Sequence, residues 1–347
     1  MTNVDQALKR STRHSDENAK SKTIRMMKKS EIYYGKVLLF GEYSILFNSK
    51  GLTIPYSHFT GQLSFINEDK YTDYDFAVQS NQQMYEFLEF MQNLKEKDGM
   101  PCDIDLEKFN SDLDEGLYFE SNIPQGYGIG SSGALVAAVY DRYCRNKIEA
   151  SENITKEEIS SLRLIFSTLE SLFHGQSSGI DPLNCYLQHP LIIHSRENIE
   201  ITGIPRSKFE KEGVIFLVDT GKVGKTGPLV NHFLEQMRFK KYADVFQTEY
   251  IPYVNQCISD ILSGQMQNFF DTLKKVSEFQ LTHFGGMIPK SFINAWKKGI
   301  DSGNFLLKLC GSGGGGFLLG FTTNYSEAKK YFVNLHHEVI PVYKSGL

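Results

Sequence analysis

The first thirty residues and the remainder of the chain follow different patterns. Residues 1–30 carry Lys9, Arg10, Arg13, Lys20, Lys22, Arg25, Lys28 and Lys29 against Asp5, Asp16 and Glu17, with almost no large apolar side chains. Such a segment buries too little surface to offset its ordering entropy, so a disordered basic extension is expected, with a basic interaction arm as the alternative. Patterned sequence begins at Ile32. Val37-Leu-Leu-Phe40, bounded by Gly35 and Gly41, reads as a buried strand. Leu52 to Ile66 reads as further strand segments, interrupted at Pro55 and Gly61. Apolar spacing predicts a helix over 82–96, and Leu117 to Glu120 predicts a strand that runs into a glycine-rich loop. Helices are expected from Ala134 to about Arg145 and over 156–173, and strands at Leu191-Ile-Ile193 and Val214 to Val218. From about 229 the pattern is mainly helical until Phe305. Strand Phe305 to Leu309, a glycine run, strand Phe317 to Leu319, a helix near 325–337 and a strand Val339 to Tyr343 then close the chain.

This βαβ-like ending implies a second α+β domain that starts near 200–228. A chain of 347 residues suits two domains better than one core. The expected layout is therefore an α+β protein with the extension 1–30, an N-terminal domain over 31–210 and a C-terminal domain over 211–347. Hydrophobic content of 41% and charged content of 22% are those of a globular protein. The formal charge of −4 gives no reason to expect a nucleic-acid surface. The five cysteines are scattered with no CxxC pair, which argues against a disulfide framework or a structural zinc site. No run approaches the ~20 apolar residues of a membrane span, and no signal-like apolar stretch opens the chain. A cytoplasmic location is the expectation.

Chemistry concentrates in two glycine-rich loops. In Pro124-Gln-Gly-Tyr-Gly-Ile-Gly-Ser-Ser-Gly-Ala134, four glycines clear side chains from where backbone N–H groups would converge on an anion. Ser131 and Ser132 sit where the next helix should begin, and a helix N-terminus attracts phosphate through its unpaired donors. The competing reading, a serine-capped tight turn, explains less of the glycine density. The loop is not a Walker A loop, because no lysine lies within it, and HRDxxxxN and DFG are missing elsewhere. The second loop, Cys310-Gly-Ser-Gly-Gly-Gly-Gly316, satisfies GxGxxG by chance of density, but a strand pattern follows it where a dinucleotide fingerprint needs a helix. It still implies a close backbone approach to a ligand or to the neighbouring domain.

Among the charged residues, Glu170 near a helix end and Asp181 after Gly175-Gln-Ser-Ser-Gly-Ile180 could face one space and serve phosphoryl transfer. The alternative leaves Glu170 solvated and makes Asp181 a helix N-cap before Pro182. Lys36 could be catalytic or a snorkelling strand-edge residue. Glu42-Tyr43 could contact substrate or close a turn, and His174 reads as structural.

Four segments in order resemble the GHMP kinase superfamily. Tyr34-Gly-Lys-Val-Leu-Leu-Phe-Gly-Glu-Tyr43 is similar to its first motif, PGKVxLxGEH, with Tyr34 for proline and Tyr43 for histidine. Pro124 to Ala134 resembles the second, PxGxGLGSSAA, with Ile129 for leucine and Gly133 for alanine. His174-Gly-Gln-Ser-Ser-Gly-Ile-Asp181 resembles the HGxPSGxD segment of mevalonate kinases, and Lys308-Leu-Cys-Gly-Ser-Gly-Gly-Gly-Gly316 the third motif, KxTGAGGGG. The resemblance implies a two-domain fold, with an N-terminal domain like domain 2 of ribosomal protein S5 and a ferredoxin-like C-terminal domain. It implies ATP and Mg²⁺ as cofactors and a small-molecule hydroxyl as acceptor. Asp181 would be the catalytic carboxylate and Lys36 its charged partner. Pro124, Gly126, Gly128, Gly130, Ser131, Ser132 and Gly133 would surround the ATP phosphates, with Ser132 and Glu170 as Mg²⁺ ligands. Glu42, Tyr43, Gly311, Gly313 and Gly314 would line the acceptor side.

Within the superfamily, mevalonate kinase is the leading expectation, with phosphomevalonate kinase or another GHMP kinase second and a non-catalytic protein of the same fold third. Retention of Lys36, Ser132, Glu170 and Asp181 together argues for catalysis. Positions 32–56 and 170–194 offer only Lys36 and Lys50 as cations, sparse for a phosphorylated acceptor unless Lys222 and Lys225 face the site. A homodimer is compatible with the resemblance, and no residue demands one.

Overall fold

β1 (Tyr33–Phe40) begins at the first patterned residues and carries Val37, Leu39 and Phe40 into the core. It pairs antiparallel with β2 (Gly51–Phe65). The expected interruptions in β2 do not occur. Pro55 lies within the strand opposite Lys36, and Gly61 lies opposite Tyr33. A Cβ at Gly61 would fall 2.3 Å from the Phe119 ring, so this glycine marks a close approach and not a break. β3 (Leu117–Ser121), β4 (Leu191–Ile193) and β5 (Ile199–Ile201) complete a five-stranded antiparallel sheet in the order β1-β2-β4-β5, with β3 on β2. The computed structural model describes residues 31–66, 73–151, 153–205, 213–224 and 226–344. The extension 1–30 and the expected 210/211 boundary lie outside the described residues.

Helices cover this sheet. α1 (Tyr74–Glu96) starts earlier than the apolar spacing indicated, because Asp73 caps it by accepting from the Phe76 N–H. α2 (Leu106–Asp114) was not foreseen, although Asp105 caps it in the same way through the Lys108 N–H. α3 (Ser131–Tyr143) is buried along most of its length and packs on β1, α4 (Lys156–His174) and α5 (Ile180–Leu187). A capping box between Thr155 and Glu158 starts α4.

The second sheet holds β6 (Val214–Asp219), β7 (Leu306–Leu309), β8 (Phe317–Thr322) and β9 (Val339–Lys344), all antiparallel, in the order β7-β8-β6-β9. α11 (Tyr325–Asn334) links β8 to β9 across β6. With helices also between β6 and β7, this is the split βαβ order of a ferredoxin-like sheet. Those intervening helices are α6 (Thr226–Gln236), α7 (Lys240–Val245), α8 (Ile251–Ser263), α9 (Met266–His283) and α10 (Ile293–Ser302).

The described residues from Ile32 onward form one compact unit, and the two sheets meet through specific contacts. The Phe40 ring lies 6.0 Å from Phe269 and 5.9 Å from Phe321, and the Tyr56 hydroxyl donates to the Pro341 carbonyl at 2.9 Å. At the centre, the Lys308 ammonium on β7 pairs with Glu42 at the end of the first motif, both side chains fully enclosed. Lys308 also donates to the Leu309 carbonyl at 2.7 Å and sits over the Phe40 ring. Removing one member of such a pair strands the other charge. Lys308→Met is therefore expected to lower unfolding stability by about 3–5 kcal/mol, and Lys308→Met with Glu42→Gln to recover most of it. Urea midpoints measure both; a single variant melting with the parent would show that the pair does not hold the sheets together.

Candidate active site

Three chain segments converge at glycines. Gly130 adopts φ 82° and turns the loop into α3, so the Ser131, Ser132 and Gly133 N–H groups precede the first helical bond, from the Ala134 N–H to the Gly130 carbonyl at 2.9 Å. A Cβ at Gly130 would lie 2.9 Å from Lys36 Cγ. A Cβ at Gly133 would lie 2.8 Å from the Pro182 nitrogen and 2.9 Å from the Asp181 carbonyl carbon. Bare Cα atoms at these two positions let β1, the start of α3 and the start of α5 close on one point. The Lys36 N–H also donates to the Ile129 carbonyl at 2.8 Å.

At that point Lys36 Nζ lies 2.9 Å from Asp181 Oδ2. Lys36 is buried, whereas the Asp181 side chain is 39% exposed, so the pair opens to solvent on the acid side. Burial pulls the Lys36 pKa down, but the charge and hydrogen bond of Asp181 outweigh it and the net direction is up. The snorkelling reading of Lys36 and the capping reading of Asp181 both fail. Lys36 does not reach solvent, and α5 is capped by Gly179 with Asp181 inside its first turn.

Beside this pair, Ser132 Oγ donates to Glu170 Oε1 at 3.0 Å, and Ser177 Oγ donates to Glu170 Oε2. Glu170 is buried, not solvated, and its carboxyl is pushed up to about 7, first by burial and then by the Asp181 charge. His174, read from the sequence as structural, places Nε2 3.1 Å from Ser132 Oγ. The helical spacing of Glu170 and His174 in α4 was the available signal for this contact.

The third-motif loop closes the other side. A Cβ at Gly316 would lie 2.8 Å from Tyr127 Cα, and one at Gly128 3.3 Å from the Cys310 carbonyl oxygen. Gly313 and Gly314 both adopt positive φ against the Met287 carbonyl, which accepts from the Gly314 N–H at 2.6 Å, while Gly311, at φ 75°, faces Gly128. Gly126 and Gly128 are exposed and Pro124 is half-buried at the loop entrance. The loop of Lys222 is interleaved between the two glycine loops: Gly224 N–H donates to Gly126 O at 3.2 Å, and Gly316 N–H to Lys222 O at 2.5 Å. Tyr43 holds a strained φ of 61°, with its hydroxyl donating to the Ser312 carbonyl at 2.5 Å and its ring against Phe233 and Phe284. Glu42 faces Lys308, a residue quoted in the third motif but assigned no role there. Its signal was a lone charge in the apolar strand Phe305-Leu-Leu-Lys-Leu309.

Residues 87–188, which include α3, Glu170 and Asp181, match the family model of the GHMP kinases N terminal domain. The chain has the GHMP kinase fold. L. major mevalonate kinase in complex with R-mevalonate superposes with a TM-score of 0.60 at 18% identity, covering 92% of this chain and 98% of that one. Streptococcus pneumoniae phosphomevalonate kinase in complex with phosphomevalonate and AMPPNP gives 0.59 at 14% identity, covering 91% and 98%. Lactococcus lactis galactokinase complexed with galactose gives 0.58 at 12%, covering 92% and 94%. At such identities the likeness establishes the fold and leaves the acceptor open. A search of curated proteins gave no match.

In this GHMP fold, the Glu170 proton should leave a mark on stability. With its pKa raised from 4.5 to about 7, the folded protein holds this proton more tightly than the unfolded chain does. The resulting stability is present below pH 4.5 and is lost as pH rises through 7. Glu170→Gln removes the dependence. In metal-free buffer the parent Tm should therefore drop relative to the variant as pH increases across this window, by the equivalent of roughly 3 kcal/mol. Parallel Tm–pH curves would show that Glu170 titrates normally.

Proposed function

We propose that this protein is an ATP-dependent phosphotransferase that moves the γ-phosphoryl group to the hydroxyl of a small acceptor, with mevalonate the favoured acceptor. The observation that carries the reading is the Lys36–Asp181 pair at 2.9 Å, set against the N-terminus of α3 and open on the Asp181 side. The unpaired N–H groups at the start of α3 and the exposed glycines before it suit the ATP phosphates. Asp181 would orient the acceptor hydroxyl and take its proton, while Lys36 faces the charge that develops on the acceptor oxygen.

The same residues fit Mg²⁺. Glu170 and Ser132 offer hard oxygen donors within hydrogen-bond distance of each other, with the Asp181 carboxylate close enough to act on Glu170. When bound, the ion would neutralise the β- and γ-phosphate oxygens.

A phosphorylated acceptor is the second reading. It is favoured by the Lys222 loop, whose backbone bonds to both glycine loops and so carries a further lysine beside them. Lys225 lies outside the described residues. Against it stand the absence of any Lys or Arg over 170–194 and the HGQSSGID segment.

Two measurements test the proposal. Asp181→Asn should reduce turnover on the order of 10²–10⁴-fold with nucleotide affinity retained; near-parental turnover would remove Asp181 from the chemistry. Side-by-side kinetics should give a higher kcat/KM for mevalonate than for 5-phosphomevalonate. The reverse preference would shift the assignment to the phosphorylated acceptor, and no ATP turnover with either would defeat both.

A further inference from the structure

We infer that His174 is a positioning residue for the metal site, donating its Nε2–H to Ser132 Oγ and thereby fixing the direction of the serine hydroxyl. The inference rests on the proposed role of Ser132 and Glu170 as the metal-holding pair. Ser132 Oγ has one proton and two acceptor sites, and two groups lie within bonding distance, Glu170 Oε1 at 3.0 Å and His174 Nε2 at 3.1 Å. The hydroxyl donates to the carboxylate, so it has no proton left for the imidazole. The ring nitrogen must then be the donor. With one acceptor site filled by His174 and the proton committed to Glu170, a single lone pair on Oγ stays directed for a cation.

The backbone supports the arrangement. Glu170 and His174 are one helical turn apart on α4, so both project toward Ser132 from the same face. The Gly175 N–H donates to the Ser171 carbonyl at 2.8 Å and ends the helix directly after His174, which keeps this histidine on the last ordered turn. Neighbours that orient a metal-ligating side chain commonly change metal affinity 10–100-fold when removed.

The test is a titration with Mn²⁺ in the presence of AMPPNP, read by electron paramagnetic resonance, which needs no turnover. His174→Ala should weaken Mn²⁺ affinity about 10-fold, and His174→Gln, whose amide keeps an N–H donor, should recover most of it. Metal-free Tm should stay at the parental value for both variants. Steady-state assays should show a higher Mg²⁺ requirement with kcat largely kept. Glu170→Gln and Ser132→Ala serve as controls for the underlying reading. If they weaken Mn²⁺ binding and His174→Ala does not, the positioning role is overturned and the proposed function stands. Equal losses in His174→Ala and His174→Gln would also overturn it, because the donated hydrogen bond would then not be the cause. If neither control changes Mn²⁺ affinity, the metal-site reading itself falls and the inference falls with it.

Discussion

The site depends on how closely backbone can approach backbone at Gly130 and Gly133. Any side chain at Gly130 would meet the Lys36 stem, and any at Gly133 would meet the first turn of α5. Only with both positions bare can the strand bearing Lys36, the helix bearing Ser132 and the helix bearing Asp181 share one small volume. Charge pairing, hydrogen bonding and the exposure of the α3 N-terminus all follow from that approach. Gly316 and Gly128 extend the principle to the second sheet, whose glycine loop touches the first through backbone atoms.

Around this junction the structure gathers three acids, Glu42, Glu170 and Asp181, and two ammonium groups, Lys36 and Lys308, and the two ion pairs among them differ in kind. Glu42–Lys308 is enclosed on both sides and ties the sheets; burial raises the Glu42 pKa, and the Lys308 charge works against that rise. Lys36–Asp181 is enclosed on the lysine side alone, which leaves the carboxylate reachable. Glu170 forms no ion pair with either lysine, and burial first and the Asp181 charge second push its pKa up. That charge balance, with hard oxygen donors and helix N–H groups alongside, is what the proposed metal–polyphosphate ligand would answer.

Much of this was legible before any coordinates. Strong apolar runs such as Val37 to Phe40 and Val214 to Val218 appeared as strands, since burial on both faces requires continuous apolar sequence. The glycine loops announced themselves by density. Gly61 and Pro55 looked like breaks because the space a glycine vacates is filled by a partner distant in sequence, here Phe119. α1 starts at the Asp73 cap, where Tyr74, Phe76 and Val78 are exposed and do not mark the buried stripe, and the nine-residue α2 after Asp105 offers few turns over which an apolar period can repeat.

The chain by itself determined which residues could carry chemistry: a lysine before a buried run, paired serines at a helix start, carboxylates around a glycine-containing turn, and two loops stripped of side chains. These are local properties of residue type and spacing. What only the tertiary structure decided is which of them are partners. By local sequence Asp181 and Glu170 read slightly better as a helix cap and a solvated acid, and His174 as structural; their contacts with Lys36 and Ser132 exist only once α3, α4 and α5 are packed together. Long-range pairs such as Lys36–Asp181 and Glu42–Lys308 arise from packing between segments more than a hundred residues apart, and no periodicity within either segment encodes them.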